Sequence, residues 1–414
     1  MSAWKTQKLN DVCRIKPPKK QARQSLGDDD LVSFVPMSDL GIRKKDIHPS
    51  CDKPLREVAG SYTYFADGDV LLAKITPCFE NGKLGIANQM TNGIGFGSSE
   101  FIVFRPRGLL DAHYLFYFLS QDSFRNAGAR VMSGAVGHKR VPKEFIENYQ
   151  IPLPDIRDQR RIVAILDEAF AGIETAIANT EKNLANAREL FESYLIKILG
   201  TRESGWQDLT LKEVCLDYGR GKSKHRPRND PILYDGEYPF IQTGDVRRSD
   251  HLITTFSATY NEKGLAQSKL WPKGTICITI AANIAETGVL DFDACFPDSI
   301  IGLVVDPRRA SNAYVEFLLQ SVKTVLKAKG KGSAQDNINL GTLEKERFPF
   351  PPVQIQHEIV ADVEDLRVSV IGLEWVYQKK LTALAELKQS LLHKAFSGEL
   401  TADKLEDAVA EVVA

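Results

Sequence analysis

The sequence predicts an α+β chain. Two tandem mixed α/β domains are separated by two long helices that form an antiparallel coiled coil, and the whole is a pseudo-two-fold internal repeat. Three observations lead there. The chain matches itself at a displacement near 200 residues, the end of each copy carries apolar residues at a 3.5-residue period, and short β-rich runs alternate with glycine-bearing loops before it.

The repeat is read residue by residue. Trp4, Leu9, Asp11, Val12 and Cys13 match Trp206, Leu211, Glu213, Val214 and Cys215 at an offset of 202. Phe34 to Leu40 matches Phe240 to Val246 at 206, and Tyr114 to Leu119 matches Tyr314 to Leu319 at 200. Ile151-Pro-Leu-Pro154 and Gln159-Arg-Arg-Ile162-Val match Phe348-Pro-Phe-Pro351 and Gln356-His-Glu-Ile359-Val at 197, and that last offset holds to Lys197 and Lys394. Offsets drift where loops vary and stay rigid where one continuous element runs.

In the first part of each copy, β-rich runs predict strands at Leu31–Val35, Val70–Ile75 and Phe101–Phe104, then at Phe240–Gln242, Thr275–Ile280 and Ile300–Val305. A helix is predicted after each set, near Ala112–Ser120 and Ala313–Leu326. The rigid part predicts a long helix. In the second copy Ile359, Val363, Leu366, Val370, Leu373, Tyr377, Leu384, Leu387 and Leu391 alternate four-three spacing, with Lys380 as the break. The first copy continues the register through Ile162, Leu166, Ala169, Ile173, Ala176, Ala187, Leu190 and Tyr194, with Thr180 and Asn183 on the seam mid-helix. Asp155 is the expected N-cap, and Gly200 and Gly398 are expected just past the helix ends. Each helix then runs about 40–45 residues, roughly 60–65 Å. The expected boundaries are 1–153 and 201–351 for the mixed domains, 154–200 and 352–400 for the helices, and 401–414 for an acidic tail.

Composition narrows the function classes. Hydrophobic residues make up 43% and charged residues 26%, a globular balance, and no apolar run reaches the length of a membrane span. The start lacks the apolar stretch of a secretion signal, and six cysteines without a C-x-x-C spacing fit a reducing compartment; a cytoplasmic protein is expected. Catalytic motifs fail on inspection. Gly221-Lys222-Ser223 lacks the glycine a phosphate loop needs, since Leu216 stands there, and Asp167-Glu168 lies within the heptad helix. There is no Asn-Pro-Pro-aromatic methylation motif, no G-x-G-x-x-G after a strand, no nuclease Glu-x-Lys after Pro154-Asp155 or Pro297-Asp298, and no histidine spacing suited to a metal. The expectation is a chain without a catalytic site, metal or cofactor of its own.

The net charge of −1 conceals segregation. The tail from Glu399 carries five acids against one lysine, while three runs elsewhere are free of acids: Arg14, Lys16, Lys19, Lys20 and Arg23; Arg220, Lys222, Lys224, His225, Arg226 and Arg228; and Lys323, Lys327, Lys329 and Lys331. Any one run alone reads as a solvated loop. Paired domains on long helices make a different reading available, a two-headed reader of double-stranded DNA whose half-sites are held a fixed distance apart.

The motifs Ile151-Pro-Leu-Pro-Asp-Ile-Arg-Asp-Gln159-Arg-Arg-Ile162, Phe348-Pro-Phe-Pro-Pro-Val-Gln-Ile-Gln356-His-Glu-Ile359 and Lys394-Ala-Phe-Ser-Gly398-Glu-Leu carry a resemblance. Leu71 to Lys83 in the first mixed domain, and Ala281-Ala-Asn283-Ile and Gln335-Asp-Asn337-Ile338 in the second, extend it. The chain resembles, over nearly its whole length, the specificity subunit of type I restriction–modification systems. The resemblance implies a non-catalytic subunit that binds a bipartite DNA site with an unspecified spacer. It further implies two methyltransferase subunits using S-adenosylmethionine and two restriction–translocase subunits using ATP and Mg. The acidic tail departs from the pattern and receives no role.

Glycine-bearing polar loops precede both long helices, at Gly134 to Val141 and Gly330 to Ile338. Glycine permits close backbone approach to a phosphate, and Arg, Lys, Gln and Asn are the side chains that pair with base edges. The candidate DNA contacts are therefore His138, Lys139 and Arg140; Lys329, Lys331, Ser333, Gln335 and Asn337; Arg14, Lys16, Lys19 and Lys20; Arg220, Lys222, Ser223, Lys224, His225, Arg226 and Arg228; and Lys74, Asn81 and Lys83 beside Glu80. Ordinary surface loops explain each of these separately, and a tight turn explains the last group. Phe79 and Tyr64 are expected in the core. Two other readings stay open: the recognition module of a different defence or modification system, and a coiled-coil scaffold without affinity for DNA.

Overall fold

The computed structural model describes residues 4–281, 285–323 and 340–397. The chain divides into two compact units, each described by itself. The first takes the described part of Met1–Glu181 and of Lys379–Ala414, and the second is Lys182–Gln378. Each unit therefore holds one mixed domain, a part of the first long helix and a part of the second.

In the first unit, Thr6–Lys8 pairs antiparallel with Gln150–Pro152, which closes the domain just before the first long helix. One four-stranded antiparallel sheet runs in the order Cys13–Ile15, Phe101–Pro106, Val70–Ala73, Leu84–Ile86. A second runs Cys51–Pro54, Leu31–Val35, Ile94–Gly97, Thr63–Ala66, with its central pair parallel. The helix Ala112–Leu119 is capped by the Asp111 carboxylate, which accepts from the His113 and Tyr114 amides. It buries Tyr114, Phe118 and Leu119 in the same core as Val70, Leu72 and Phe104. A helix that the sequence reading missed follows at Asp122–Val131. Its Gly128 lies so close to Phe79 that a Cβ there would sit 2.4 Å from the ring, and both Phe79 and Tyr64 are in the core as expected.

The second unit repeats this plan with local changes. Gln207–Thr210 pairs with Arg347–Phe350. Its larger sheet runs Cys215–Arg220, Ile300–Val305, Ile276–Thr279, Thr287–Leu290, Leu252–Ile253, and its smaller one Ala258–Tyr260, Tyr234–Phe240, Ala294–Cys295, Leu270–Trp271. The helix Asn312–Ser321 is capped by Ser311. The strand expected at Phe240–Gln242 ends at Phe240, because Gln242 caps a short helix at Thr243–Arg248 with Asp245 in a reciprocal box.

The Pro-x-Pro and Gln motifs acquire a physical reason. Gln159 is fully buried; its Oε1 accepts from the Asp111 amide at 2.9 Å, and its Nε2 donates to Leu109 O at 2.8 Å and Pro154 O at 2.9 Å. Gln356 does the same in the second unit, accepting from Ser311 at 3.0 Å and donating to Arg309 O at 3.1 Å and Pro351 O at 2.8 Å. Tyr114 Oη donates to Pro152 O and Tyr314 Oη to Pro349 O. An amide satisfies three backbone groups in one step and locks the start of each long helix to the N-terminus of the helix at Ala112–Leu119 or Asn312–Ser321.

The long helices span Ile156–Gly200 and Val353–Ser397, 45 residues each. Asp155 caps the first, accepting from the Arg157 and Asp158 amides at 2.9 and 3.0 Å. Gly200 is the last helical residue rather than the residue beyond it, and Gly398 lies outside the described residues. Pairing is antiparallel: Lys388 bonds Glu174 at 3.2 Å in the first unit, and Arg188 bonds Glu374 at 2.6 Å in the second. Ile162, Leu166, Ala169 and Ile173 are buried with Leu391, Leu392, Ala395 and Phe396, while Leu384 and Leu387 pack partly buried beside them. Ile359 and Val363 are buried with Leu195 and Leu199, Tyr194 packs against them, and Val370 is buried while Leu366 and Tyr377 are half-buried.

Three seam assignments, Leu190, Leu373 and Asn183, are corrected. Leu190 is 59% exposed and Leu373 43% exposed. The four-three alternation breaks at Val370: Glu374 and Leu381, not Leu373 and Lys380, are the half-buried residues between Val370, Tyr377 and Leu384. In the first helix Ala187, Phe191 and Tyr194 face inward, and Asn183 is exposed while Thr180 is buried. The polar seam position at Glu374 is occupied by an ion pair to Arg188, so a periodicity search restricted to apolar residues slides one step onto Leu373.

Candidate nucleic-acid interface

In the first unit two separately read basic segments meet at one cleft, and a third is joined to it through Glu100. The strand Cys13–Ile15 ends where Lys16 turns the backbone into the left-handed region at φ 55°, its amide donating to Val103 O at 2.8 Å. Lys16 and Lys19 then line a cleft of about 260 Å³ with Lys74 and Lys143, over an apolar floor that includes Tyr62, Tyr64 and Phe101. The Lys16 side chain has no partner among the described residues. Lys19 donates to Gly60 O at 2.7 Å, and burial, followed by the nearby Lys16 charge, lowers its ammonium pKa. Arg14, Lys20 and Arg23 are exposed but lie outside this lining.

Lys74 donates to Ser99 O at 2.9 Å and lies 3.9 Å from Glu100. Burial lowers its pKa, Glu100 offsets part of that, and Lys16 and Arg140 lower it further. Glu100 accepts both arms of the Arg140 guanidinium, Nε at 3.0 Å and Nη2 at 2.7 Å. That fork holds the Glu100 carboxyl below the usual glutamate range. The loop bearing Arg140 is a narrow hairpin: Ser133 and Arg140 exchange backbone hydrogen bonds at 3.1 and 2.8 Å, and Lys139 O accepts from the Thr76 amide at 2.9 Å. His138 and Lys139 project into solvent without side-chain partners among the described residues.

Asn81 and Lys83 are not part of this face. Lys83 donates to Met37 O at 2.7 Å, and the segment after Pro77 is a tight turn in which Asn81, Gly82 and Lys83 donate their amides back to Pro77, Phe79 and Cys78. Asn81 is exposed at the turn, outside the cleft lining.

In the second unit the basic run is a structured loop. Gly221 follows the strand Cys215–Arg220 and presses against Phe296, where an added Cβ would lie 2.1 Å from the carbonyl; close packing, not phosphate binding, accounts for that glycine. Ser223 is buried, and Gln267 Oε1 accepts from the Lys224 and His225 amides at 2.6 and 3.1 Å. His225 bonds Asp230 at 2.8 Å and lowers that carboxyl's pKa. Arg226 donates to Ser223 O and His225 O, and Arg228 pairs with Asp298 at 2.8 Å. Arg220, Lys222 and Lys224 remain exposed with unpartnered side chains among the described residues. Ser223 and Arg228 border a cleft of about 270 Å³ with Gln242, Pro297 and Ser299. Lys329, Lys331, Ser333, Gln335 and Asn337 lie outside the described residues, as do Lys327 and Asn283.

Sequence reading missed Glu100 and Lys143. Lys143 continues the cationic stretch that begins at His138, and this was the available signal. Glu100 carried none, because its role depends on contact with a loop 40 residues away.

A family model described as type I restriction modification DNA specificity domain matches residues 1–184 and 203–374. The chain is 38% identical over 202 residues to the EcoEI specificity subunit of Escherichia coli, which is 49% of this chain and 33% of that protein. It is 36% identical over 200 residues to the EcoAI specificity subunit of the same organism, 48% of this chain and 32% of that one. The matched stretch thus spans about a third of the length of these two relatives. A specificity subunit assigned to the MjaX enzyme of Methanocaldococcus jannaschii is 21% identical over 80% of this chain and 78% of its own. Among solved structures, one from a study of type I restriction–modification assembly has a TM-score of 0.81 at 21% identity, covering 97% of this chain and 99% of its own. The HsdS subunit of Thermoanaerobacter tengcongensis has 0.63 at 20% identity, covering 97% and 98%. These two share the fold.

Proposed function

Because the chain belongs to the family of type I restriction–modification DNA specificity domains, we propose that it is the non-catalytic, DNA-reading subunit of such a complex. In this reading the domains at 1–153 and 201–351 each read one half of a bipartite target in double-stranded DNA. The helical segments 154–200 and 352–400 keep an unspecified spacer between the halves. The subunit works in the cytoplasm and recruits two methyltransferase subunits, which use S-adenosylmethionine, and two restriction–translocase subunits, which use ATP and Mg.

One observation supports DNA reading above all: Lys16, Lys19, Lys74 and Lys143 line one cleft of the first domain, and the hairpin bearing His138, Lys139 and Arg140 is joined to it through Glu100, which lies 3.9 Å from Lys74 and accepts the Arg140 fork. Cations placed side by side repel one another, and the phosphates of a polyanion relieve that repulsion by neutralising them, while the counterions so released add to the affinity. Methylome sequencing of cells carrying the chain and its methyltransferase partner tests the reading. Replacing Lys139 and Arg140 with alanine should relax one half of the methylated motif and leave the other half unchanged, each lost base contact costing about 1–3 kcal/mol. A motif altered in both halves, or in neither, would contradict it.

A further inference from the structure

The hairpin at Ser133–Arg140 carries an apolar side chain where an apolar side chain has nothing to bury against. Val136 is 94% exposed at the tip. Gly134 and Gly137 flank it with φ of 131° and 79°, backbone that lets the chain reverse within four residues. Everything below the tip is fixed. Arg140 bridges to Ile75 and Ser133 through backbone pairing, and its guanidinium is held in the Glu100 fork. Immediately after the tip come His138 and Lys139, both exposed. A narrow loop, tied at its base, with an apolar point and a cationic flank is complementary to a surface that offers a small apolar group between rows of phosphates.

The major groove of B-DNA is such a surface. It is about 12 Å wide, admits a two-stranded ribbon, and displays among its donors and acceptors one apolar feature, the C5-methyl group of thymine. The minor groove offers no equivalent, and wedging between base steps there employs Phe, Leu, Ile, Met or Pro rather than valine. We propose that the Ser133–Arg140 hairpin enters the major groove of the first half-site and that Val136 reads a thymine there by contact with its methyl group. This rests on the DNA-reading function above and adds the groove, the base and the residue that reads it.

The test uses the full chain with its methyltransferase partner and synthetic duplexes carrying the motif found by methylome sequencing. Each thymine of either half-site is replaced in turn by deoxyuridine, which lacks only the methyl group. One replacement in the first half should weaken wild-type binding about fourfold, the value of one buried methyl-sized contact. Val136→Ala should remove that difference, Val136→Thr should retain most of it, and no replacement in the second half should respond to either variant. Sequence-selective binding that ignores every deoxyuridine, a first half-site without an A·T pair, or a uracil effect unchanged by Val136→Ala would each overturn the proposal. Binding with no sequence preference at all would overturn the DNA-reading function itself, and with it this proposal.

Discussion

The two units share a frame and differ in what they mount on it. Lys74 N donates to Glu100 O in the first, and Ile280 N to Ser299 O in the second, at equivalent points beside the central strands. Around the first point stand a lysine, a glutamate and an arginine fork; around the second, an isoleucine and a serine, with the cations displaced to the loop at 220–228, whose backbone is held by Gln267 and where His225 and Arg228 pair with Asp230 and Asp298. The buried glutamines, tyrosine hydroxyls and strand order recur, whereas the charged surface does not. Within one chain, the parts that hold the frame are constrained to the same solution twice, and the parts that face outward are free to diverge.

The largest effect expected from this comparison concerns the shared part. Gln159→Leu and Gln356→Leu each leave one backbone amide and two carbonyls without partners, which should cost about 3 kcal/mol or more. Thermal unfolding should show equal losses for the two. A loss at one site and none at the other would show that the repeat is not energetically a repeat.

A smaller effect is confined to the first unit. Glu100→Gln should free Arg140, loosen the hairpin and relax the first half-site, while the second half of the methylation motif keeps its sequence. The salt dependence of binding should persist, because no phosphate-contacting cation is lost; a simple unfolding of the domain would remove both. The same pair predicts a pH response. Its pKa is depressed in the folded chain, so the contribution is fully present above the ordinary glutamate range. It is lost as pH falls below that range and through the folded value. Hydrogen exchange at the Arg140 and Ser133 amides should accelerate only there, and acceleration near neutrality would contradict the assignment. The smallest effect belongs to the helix: Leu373→Ala should change stability by less than about 0.5 kcal/mol, since the side chain is exposed.

The repeat, the long helices and the sheet cores were legible because they depend on spacing, which a sequence displays directly. The strands Leu31–Val35 and Ile300–Val305 were located to the residue. Leu190 and Leu373 misled because a heptad search counts apolar residues, while Arg188 and Glu374 satisfy a seam position by pairing with each other. The helix Asp122–Val131 was missed because its mean composition is polar and its buried residues include Arg125, held by Ser120 O and Asp122. At the candidate interface the cations were visible in sequence, but their grouping was not. Lys83 looks identical to Lys74 until one is seen bonding Met37 and the other facing Glu100.

The division of the long helices has a consequence for how the chain is made. The core around Tyr114 and Phe118 is completed by Phe396, whose ring lies 4.9 and 5.4 Å from theirs, and by Leu391, Leu392 and Ala395. A ribosome adds these only after the entire second unit. At about 5–20 residues per second, about 12–48 s pass between synthesis of the first domain and arrival of the residues that close it. The domain made first is therefore finished last, and a chain that stops short of Lys379 leaves its aromatic face bare.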